Sequence, residues 1–160
     1  MEVGETGVRV ATTANGFPIP PWIDDNALSA WVGPNTDTQL NGPVGTYDHR
    51  ITFSLADFNA ASASITGQWA ADDTGTDILV NGVSTGDTTM ATYRGFTAFS
   101  LTSGFVDGVN TLDFIVDDTG GPTGLRVEMT GTVDAPEPAA IALLGAGVFS
   151  LGLIRRRRSA

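Results

Sequence analysis

Neighbouring acidic residues occur at two places in the sequence, and paired carboxylates are groups that can do chemistry. Asp72 and Asp73 follow one apolar segment, and Asp117 and Asp118 follow another. Two carboxylates that converge could act as the acid and base of a glycosidase. Adjacent acids in Gly- and Thr-rich segments are also ordinary turn formers, so the sequence leaves both interpretations open.

Carboxylates also bind metal ions, and one segment has the oxygen-rich composition that calcium prefers. Residues 73–77 read Asp-Thr-Gly-Thr-Asp, with Asp73 and Asp77 at the ends of what would be a tight loop. Such a loop supplies carboxylate, hydroxyl and carbonyl oxygens. The spacing differs from the EF-hand pattern. The sequence predicts calcium at Asp73 and Asp77 as the one candidate cofactor, with an Asx-type turn as the alternative.

Other catalytic groups are scarce. His49 is the single histidine, and it is in phase with the apolar face of its segment, which favours packing over acid–base chemistry. The sequence has no cysteine, which excludes a thiol nucleophile, a cysteine zinc site and a disulfide framework. We therefore expect that the protein is not an enzyme.

Four aromatic side chains are candidates for stacking against a sugar: Trp22, Trp31, Tyr93 and Phe96. The two tryptophans lie in a proline-rich segment, residues 17–31, which predicts an irregular arm crossing the body. Rings of such an arm also commonly cover a sheet edge, and this alternative stays open. Trp69 is expected in the core.

The elements that would position these residues are strands. Apolar and polar residues alternate in several segments, including 47–55, 64–69, 112–116 and 125–133, which predicts strands with one packed and one solvated face. On this pattern Arg126 belongs to a solvated face. Asn81-Gly82 predicts a tight hairpin. About eight strands are expected, so the fold class is all-β, an antiparallel β-sandwich formed by one domain at residues 1–134.

Charge is divided unevenly along the chain. The net charge is −10, but all 18 acidic residues lie in residues 1–138 against four arginines, a balance of −14. Such a body repels phosphates and anionic surfaces, so nucleic acid is not an expected partner. The other four arginines are consecutive, Arg155, Arg156, Arg157 and Arg158.

The last 26 residues, 135–160, have three parts with different physical properties. Pro136, Glu137 and Pro138 favour an extended backbone. The uncharged run 139–154 would span about 24 Å as a helix, somewhat short of a ~30 Å hydrocarbon core. The arginines beside it would stay on the cytoplasmic side. The tail therefore predicts a marginal transmembrane helix that places the acidic body across the membrane.

This three-part tail resembles the PEP-CTERM sorting signal of Gram-negative bacteria. The resemblance implies that Pro136, Glu137 and Pro138 are the sorting motif, that 139–154 is the span and that Arg155 to Arg158 are the cytoplasmic stop. It implies an exosortase, a membrane-embedded transpeptidase-like enzyme, as the processing partner. The protein would pass the inner membrane and reach the cell surface or the extracellular (biofilm) matrix. The alternative is an uncleaved tail that anchors a structural surface protein.

The N-terminal region departs from that family's pattern. Residues 1–20 contain neither a basic segment nor an apolar stretch typical of a signal peptide, and residues 2–13 alternate as a strand does. We therefore expect that a signal peptide belongs upstream of Met1.

Two further stretches resemble galactose-binding-like jelly rolls, the fold of many sugar-binding accessory domains. They are residues 69–73 running on to 78–82, and residues 108–114 running on to 124–125. The resemblance implies a jelly-roll body and, by analogy, a carbohydrate-binding module with an extracellular polysaccharide as partner.

Overall fold

A computed structural model describes residues 8–9, 18–34, 43–90 and 93–136. Ten strands occur in this part of the chain, four of them only two residues long, where the sequence pattern predicts about eight. They are β1 (Val8–Arg9), β2 (Val32–Gly33), β3 (Gly45–Ser54), β4 (Asn59–Asp72), β5 (Thr74–Val80), β6 (Val83–Ser84), β7 (Thr89–Met90), β8 (Thr97–Leu101), β9 (Val109–Asp118) and β10 (Gly124–Asp134).

The strands form two antiparallel sheets. The front sheet has the order β1-β2-β10-β4-β8, and the back sheet has the order β3-β9-β5-β6, with β7 pairing β5. Long registers hold each sheet together, from Gly124↔Asp72 along β10 and β4, and from Gly45↔Asp118 along β3 and β9. The predicted all-β, antiparallel sandwich-like body is confirmed.

The main core lies between the sheets and joins apolar side chains of both. Trp69 of the front sheet is fully buried against Phe114 of the back sheet, with ring centroids 5.6 Å apart, and Phe99 lies 5.8 Å from Phe114. A Cβ atom added to Gly75 would come within 2.4 Å of the Trp69 ring, so only glycine fits there. The alternating pattern therefore predicted this inner face correctly, including the core position of Trp69.

The turn between β5 and β6 has the predicted hairpin geometry. Asn81 and Gly82 have φ values of 52° and 78°, and Val80 pairs with Val83 across the turn. Positive φ at both central positions is what a type I′ turn requires, and the Asn-Gly dipeptide tolerates it.

The outer faces are less solvated than the alternation predicted. Arg126 on β10 is only 1% exposed, and Asp113 on β9 is fully buried. The expectation of a solvated face at Arg126 is wrong, because residues 18–31 pack over it. Asp113 is covered by Arg50, whose Nε lies 2.5 Å from the Asp113 Oδ1.

β10 ends at Asp134, the last residue of the predicted body, and the division at residues 1–134 and 135–160 stays a prediction. Within the described residues no helix is long and apolar enough to cross a membrane. The predicted transmembrane helix at 139–154 lies outside the described residues.

Candidate functional site

Three carboxylates meet at one end of the sandwich, and we call Asp72, Asp73 and Asp118 the acidic corner. Asp72 ends β4 in the front sheet, Asp118 ends β9 in the back sheet, and Asp73 lies between β4 and β5. Asp73 Oδ2 accepts hydrogen bonds from the Thr119 backbone N–H (2.7 Å) and hydroxyl (2.5 Å). Three of the four acids in the two sequence pairs therefore lie near one another, whereas Asp117 accepts a hydrogen bond from the Thr46 hydroxyl.

The pKa values of Asp72 and Asp73 shift in opposite directions. Asp72 is 7% exposed, and burial together with the neighbouring Asp73 carboxylate raises the pKa of Asp72 to about 6. Burial would also raise the pKa of Asp73, but the hydrogen bonds from Thr119 outweigh it and lower that pKa below its usual value. Asp72 is therefore the titrating group of the corner near neutral pH.

Asp118 is the most deeply buried member of the corner, with 1% of its surface exposed. Its Oδ1 accepts a 2.8 Å hydrogen bond from the Gly120 N–H. Its Oδ2 is buried and has no hydrogen-bond partner in the described part of the chain. A substrate therefore has little access to this carboxylate.

An arm formed by residues 18–31 crosses the outer face of the front sheet and ends at the acidic corner. The Trp22 indole N–H donates to Asp72 Oδ2 at 2.8 Å, and the Trp31 indole N–H donates to the Ile23 carbonyl at 2.9 Å. The two rings lie 4.4 Å apart and pack with Ala70 of β4. This arm is thus attached by both ring packing and hydrogen bonds.

Arg126 fixes the middle of the arm. Its guanidinium donates to Ser29 Oγ at 2.8 Å and to the Asp24 carbonyl, and it lies 3.3 Å from a Glu128 carboxylate oxygen. Its Cζ also lies 5.0 Å from the centre of the Phe96 ring. A buried arginine with this many acceptors is well compensated, and it holds a loop that has no strand partner of its own.

Glu128 completes this network from the next outward position of β10. Its carboxylate accepts hydrogen bonds from Asn26 and Gln68, each at 2.8 Å, and from Ser29 at 3.0 Å. These hydrogen bonds hold the pKa of Glu128 below its usual range, and the bond from Asn26 has the largest effect. The sequence analysis did not predict that Arg126 and Glu128 contact the arm. The one signal in the sequence was the proline-rich arm, because such a segment has to pack on some surface of the body.

The four predicted sugar-stacking rings lie together in one cluster on this outer face. Trp22 and Trp31 are only 6% and 1% exposed, so their rings cover the front sheet as the alternative expects, and ligand binding by them stays a prediction. Tyr93 and Phe96 are half-buried. The Arg94 guanidinium lies 5.4 Å from the centre of the Tyr93 ring. Tyr93 and Phe96 therefore remain the ligand-binding candidates.

The tight loop predicted at residues 73–77 does not form, and calcium binding by Asp73 and Asp77 stays a prediction. Residues Thr74–Val80 form strand β5, so Asp73 and Asp77 do not close a tight loop. Their carboxylates accept hydrogen bonds from different segments, Asp73 from Thr119 and Asp77 from the Gly86 N–H at 3.1 Å. The described ranges contain no group of three His, Cys, Asp or Glu residues that could hold a metal ion.

The predicted sorting motif begins just after the last strand of the body, at Pro136. Ala135 and Pro136 follow β10, belong to no strand and are exposed. Glu137, Pro138 and Arg155 to Arg158 lie outside the described residues. The chain beyond β10 therefore begins in an accessible conformation.

Comparison with known proteins assigns this tail. Residues 134–158 match the family model described as the PEP-CTERM protein-sorting motif, which indicates a secreted or surface protein of a Gram-negative bacterium. A structure described as a family 35 carbohydrate binding module from an environmental isolate is similar at 15% identity and a TM-score of 0.37, covering 86% of this chain and 100% of that chain. No curated protein matches the chain. The predicted resemblance of the tail to PEP-CTERM signals is thus confirmed.

Proposed function

We propose that this chain is an exported cell-surface or exopolysaccharide-matrix protein whose C-terminal tail is recognised and removed by an exosortase. The observation that carries the proposal is the PEP-CTERM motif at residues 134–158. The exposed residues 135–136 support it, because a processing enzyme needs an extended and accessible segment next to the body. The inner membrane is then a transient location of the protein, into which the apolar run 139–154 inserts before cleavage.

The decisive experiment is mass spectrometry of the C-terminal peptide of the protein recovered from its native host. A new terminus near Pro138 supports processing. Recovery only of chains ending at Ala160 in the membrane fraction contradicts it and favours the alternative, a membrane-anchored structural surface protein with an uncleaved tail. Replacing Pro136, Glu137 and Pro138 by alanine is expected to block the new terminus. Thr132→Ala, an exposed residue of β10, is the matched control and keeps it.

We further propose that the body acts by binding and not by catalysis, with a polysaccharide as its ligand. Two carboxylates of the acidic corner, Asp72 and Asp118, are buried, and Asp73 is held by Thr119, so the corner offers a glycosidic bond no free acid–base pair. The half-buried rings of Tyr93 and Phe96 offer apolar faces for sugars. With a charge balance of −14 in residues 1–138, the preferred polysaccharide is neutral or basic and not acidic.

Retention of the protein on immobilised polysaccharide tests the binding proposal. Tyr93→Ala and Phe96→Ala are expected to abolish retention on a neutral polysaccharide. Phe58→Ala is the control, because Phe58 is a 45% exposed ring in the turn before β4, away from the arm. Unchanged retention of both variants, or equal loss in the control, contradicts a sugar site at Tyr93 and Phe96.

A further inference from the structure

A cleft of about 480 Å³ opens between the sheets beside β3, the strand that forms one edge of the back sheet. Four of its apolar lining residues belong to the core or pack against it: Ile51, Phe114, Leu125 and Val127. Two others, Leu28 and Met129, are exposed to solvent. A volume of roughly 300–1,000 Å³ is usual for small-molecule sites in proteins. Neither the acidic corner nor the rings of Tyr93 and Phe96 line this cleft, so it is separate from the proposed sugar site.

Most polar side chains of the cleft already have partners. The Asn26 amide and the Ser29 hydroxyl donate to Glu128. The Arg50 guanidinium forms two hydrogen bonds with Asp113 and lies 3.5 Å from the Asp48 carboxylate. His49 is different, because no hydrogen bond joins its imidazole to any other part of the described chain. The imidazole is therefore the polar side chain of this lining that has no partner in the described chain and can interact with a bound molecule.

The state of His49 limits the chemistry of that molecule. Burial lowers the pKa of His49, so its imidazole is neutral near pH 7 and offers one N–H donor and one bare nitrogen acceptor. An anion is disfavoured, because the body is strongly acidic and Asp48 belongs to the lining. A cation would lose its hydration against the apolar side chains of Ile51, Leu125 and Val127. The side chains of Ile51, Phe114, Leu125 and Val127 offer no hydrogen bond to the hydroxyls of a sugar, so a mainly apolar molecule fits this part of the cleft better.

We propose that this cleft binds a small, uncharged, mainly apolar molecule with one hydroxyl group, of the phenol class, whose hydroxyl hydrogen-bonds to the His49 imidazole. The ring fills the space between Ile51, Leu125 and Val127, which lie on β3 and β10. This binding activity is independent of both tail processing and polysaccharide retention.

Two fluorinated probes that differ only in the hydroxyl group test the proposal. 4-Fluorophenol and fluorobenzene are titrated by ¹⁹F NMR against the full chain in phospholipid nanodiscs, with empty nanodiscs subtracted. We expect 4-fluorophenol to bind roughly fivefold to tenfold more tightly than fluorobenzene, the effect of about one hydrogen bond. Equal affinities for the two probes would overturn the role of the imidazole.

Two variants separate the cleft from other binding places. His49→Leu should keep fluorobenzene binding and remove the preference for 4-fluorophenol. Ala30→Trp places a large ring in the cleft and should abolish binding of both probes, whereas Ala56→Trp, on an exposed turn outside the cleft, should leave both unchanged. Binding that survives in Ala30→Trp, or a hydroxyl preference that survives in His49→Leu, overturns the proposal. Circular dichroism establishes that each variant is folded.

Discussion

Two tryptophan-containing clusters of this protein are buried to a similar extent but are held by different forces. In the main core, Trp69 packs against Phe114, and its indole N–H has no hydrogen-bond partner in the described residues. In the outer cluster, the indole N–H groups of Trp22 and Trp31 bond to Asp72 and to the Ile23 carbonyl. The core thus depends on shape and burial, whereas the arm depends on hydrogen bonds and on the ionisation state of its partners.

The largest expected effect tests the core side of this comparison. Trp69→Ala should lower the free energy of unfolding by about 4 kcal/mol, because it leaves a large cavity between the sheets. Trp69→Phe should lose only about 1–2 kcal/mol, since it removes a buried donor that has no partner in the described chain. Chemical denaturation followed by circular dichroism measures both values. Equal losses would mean that the indole N–H of Trp69 makes a stabilising bond.

A pair of glycine substitutions compares how tightly the two clusters are packed. Gly75→Ala should cost about 3 kcal/mol, because the new Cβ would lie 2.4 Å from the Trp69 ring in the main core. Gly124→Ala should cost about 1 kcal/mol, since its Cβ would meet the Trp22 ring at 3.3 Å and the Val32 carbonyl oxygen at 3.1 Å. The same denaturation measurement applies, and a larger loss for Gly124→Ala would reverse the comparison.

The pH dependence of stability tests the arm side. The pKa of Asp72 rises from 3.8 to about 6 on folding. Its ionisation therefore opposes folding, and the native state should lose about 2 kcal/mol relative to Asp72→Asn as the pH rises from 4 to 7. Asparagine keeps an oxygen for the Trp22 N–H but does not titrate.

Denaturation of both proteins at several pH values gives the difference, in which the effects of all other titrating groups cancel. A constant difference between wild type and Asp72→Asn would show that Asp72 has the same pKa in the folded and unfolded chains.

The smallest expected effect is local. Trp31→Phe should cost about 1 kcal/mol, because the Ile23 carbonyl loses its 2.9 Å hydrogen bond while most of the ring packing is kept. Hydrogen exchange should rise in residues 18–31 and stay unchanged in β4 and β9. Faster exchange in β4 and β9 as well would mean that arm and sandwich open as one unit.

Local patterns predicted the sandwich because its determinants are short in range. The alternation around Ile51 and Phe53 identified β3, and Asn81-Gly82 identified the hairpin, since each feature depends on neighbouring residues alone. The tail was recognisable for the same reason.

The site was less predictable, because its contacts join distant parts of the chain. Trp22 meets Asp72, 50 residues away, and Arg126 meets Ser29, 97 residues away. No periodicity within a strand reveals that an arm will cover Arg126. The tight loop predicted at residues 73–77 was wrong for the same reason, since this oxygen-rich segment continues into β5, which pairs with β9.

The position of the tail also has a mechanical consequence. The chain leaves the body from the end of β10, and β10 lies inside the front sheet, in register with β4 from Gly124↔Asp72 to Thr132↔Ser64. A pull directed along β10 would load these paired residues together, in shear, and would not open them one after another. A protein held at a surface by that end would resist detachment forces through the longest pairing of its front sheet.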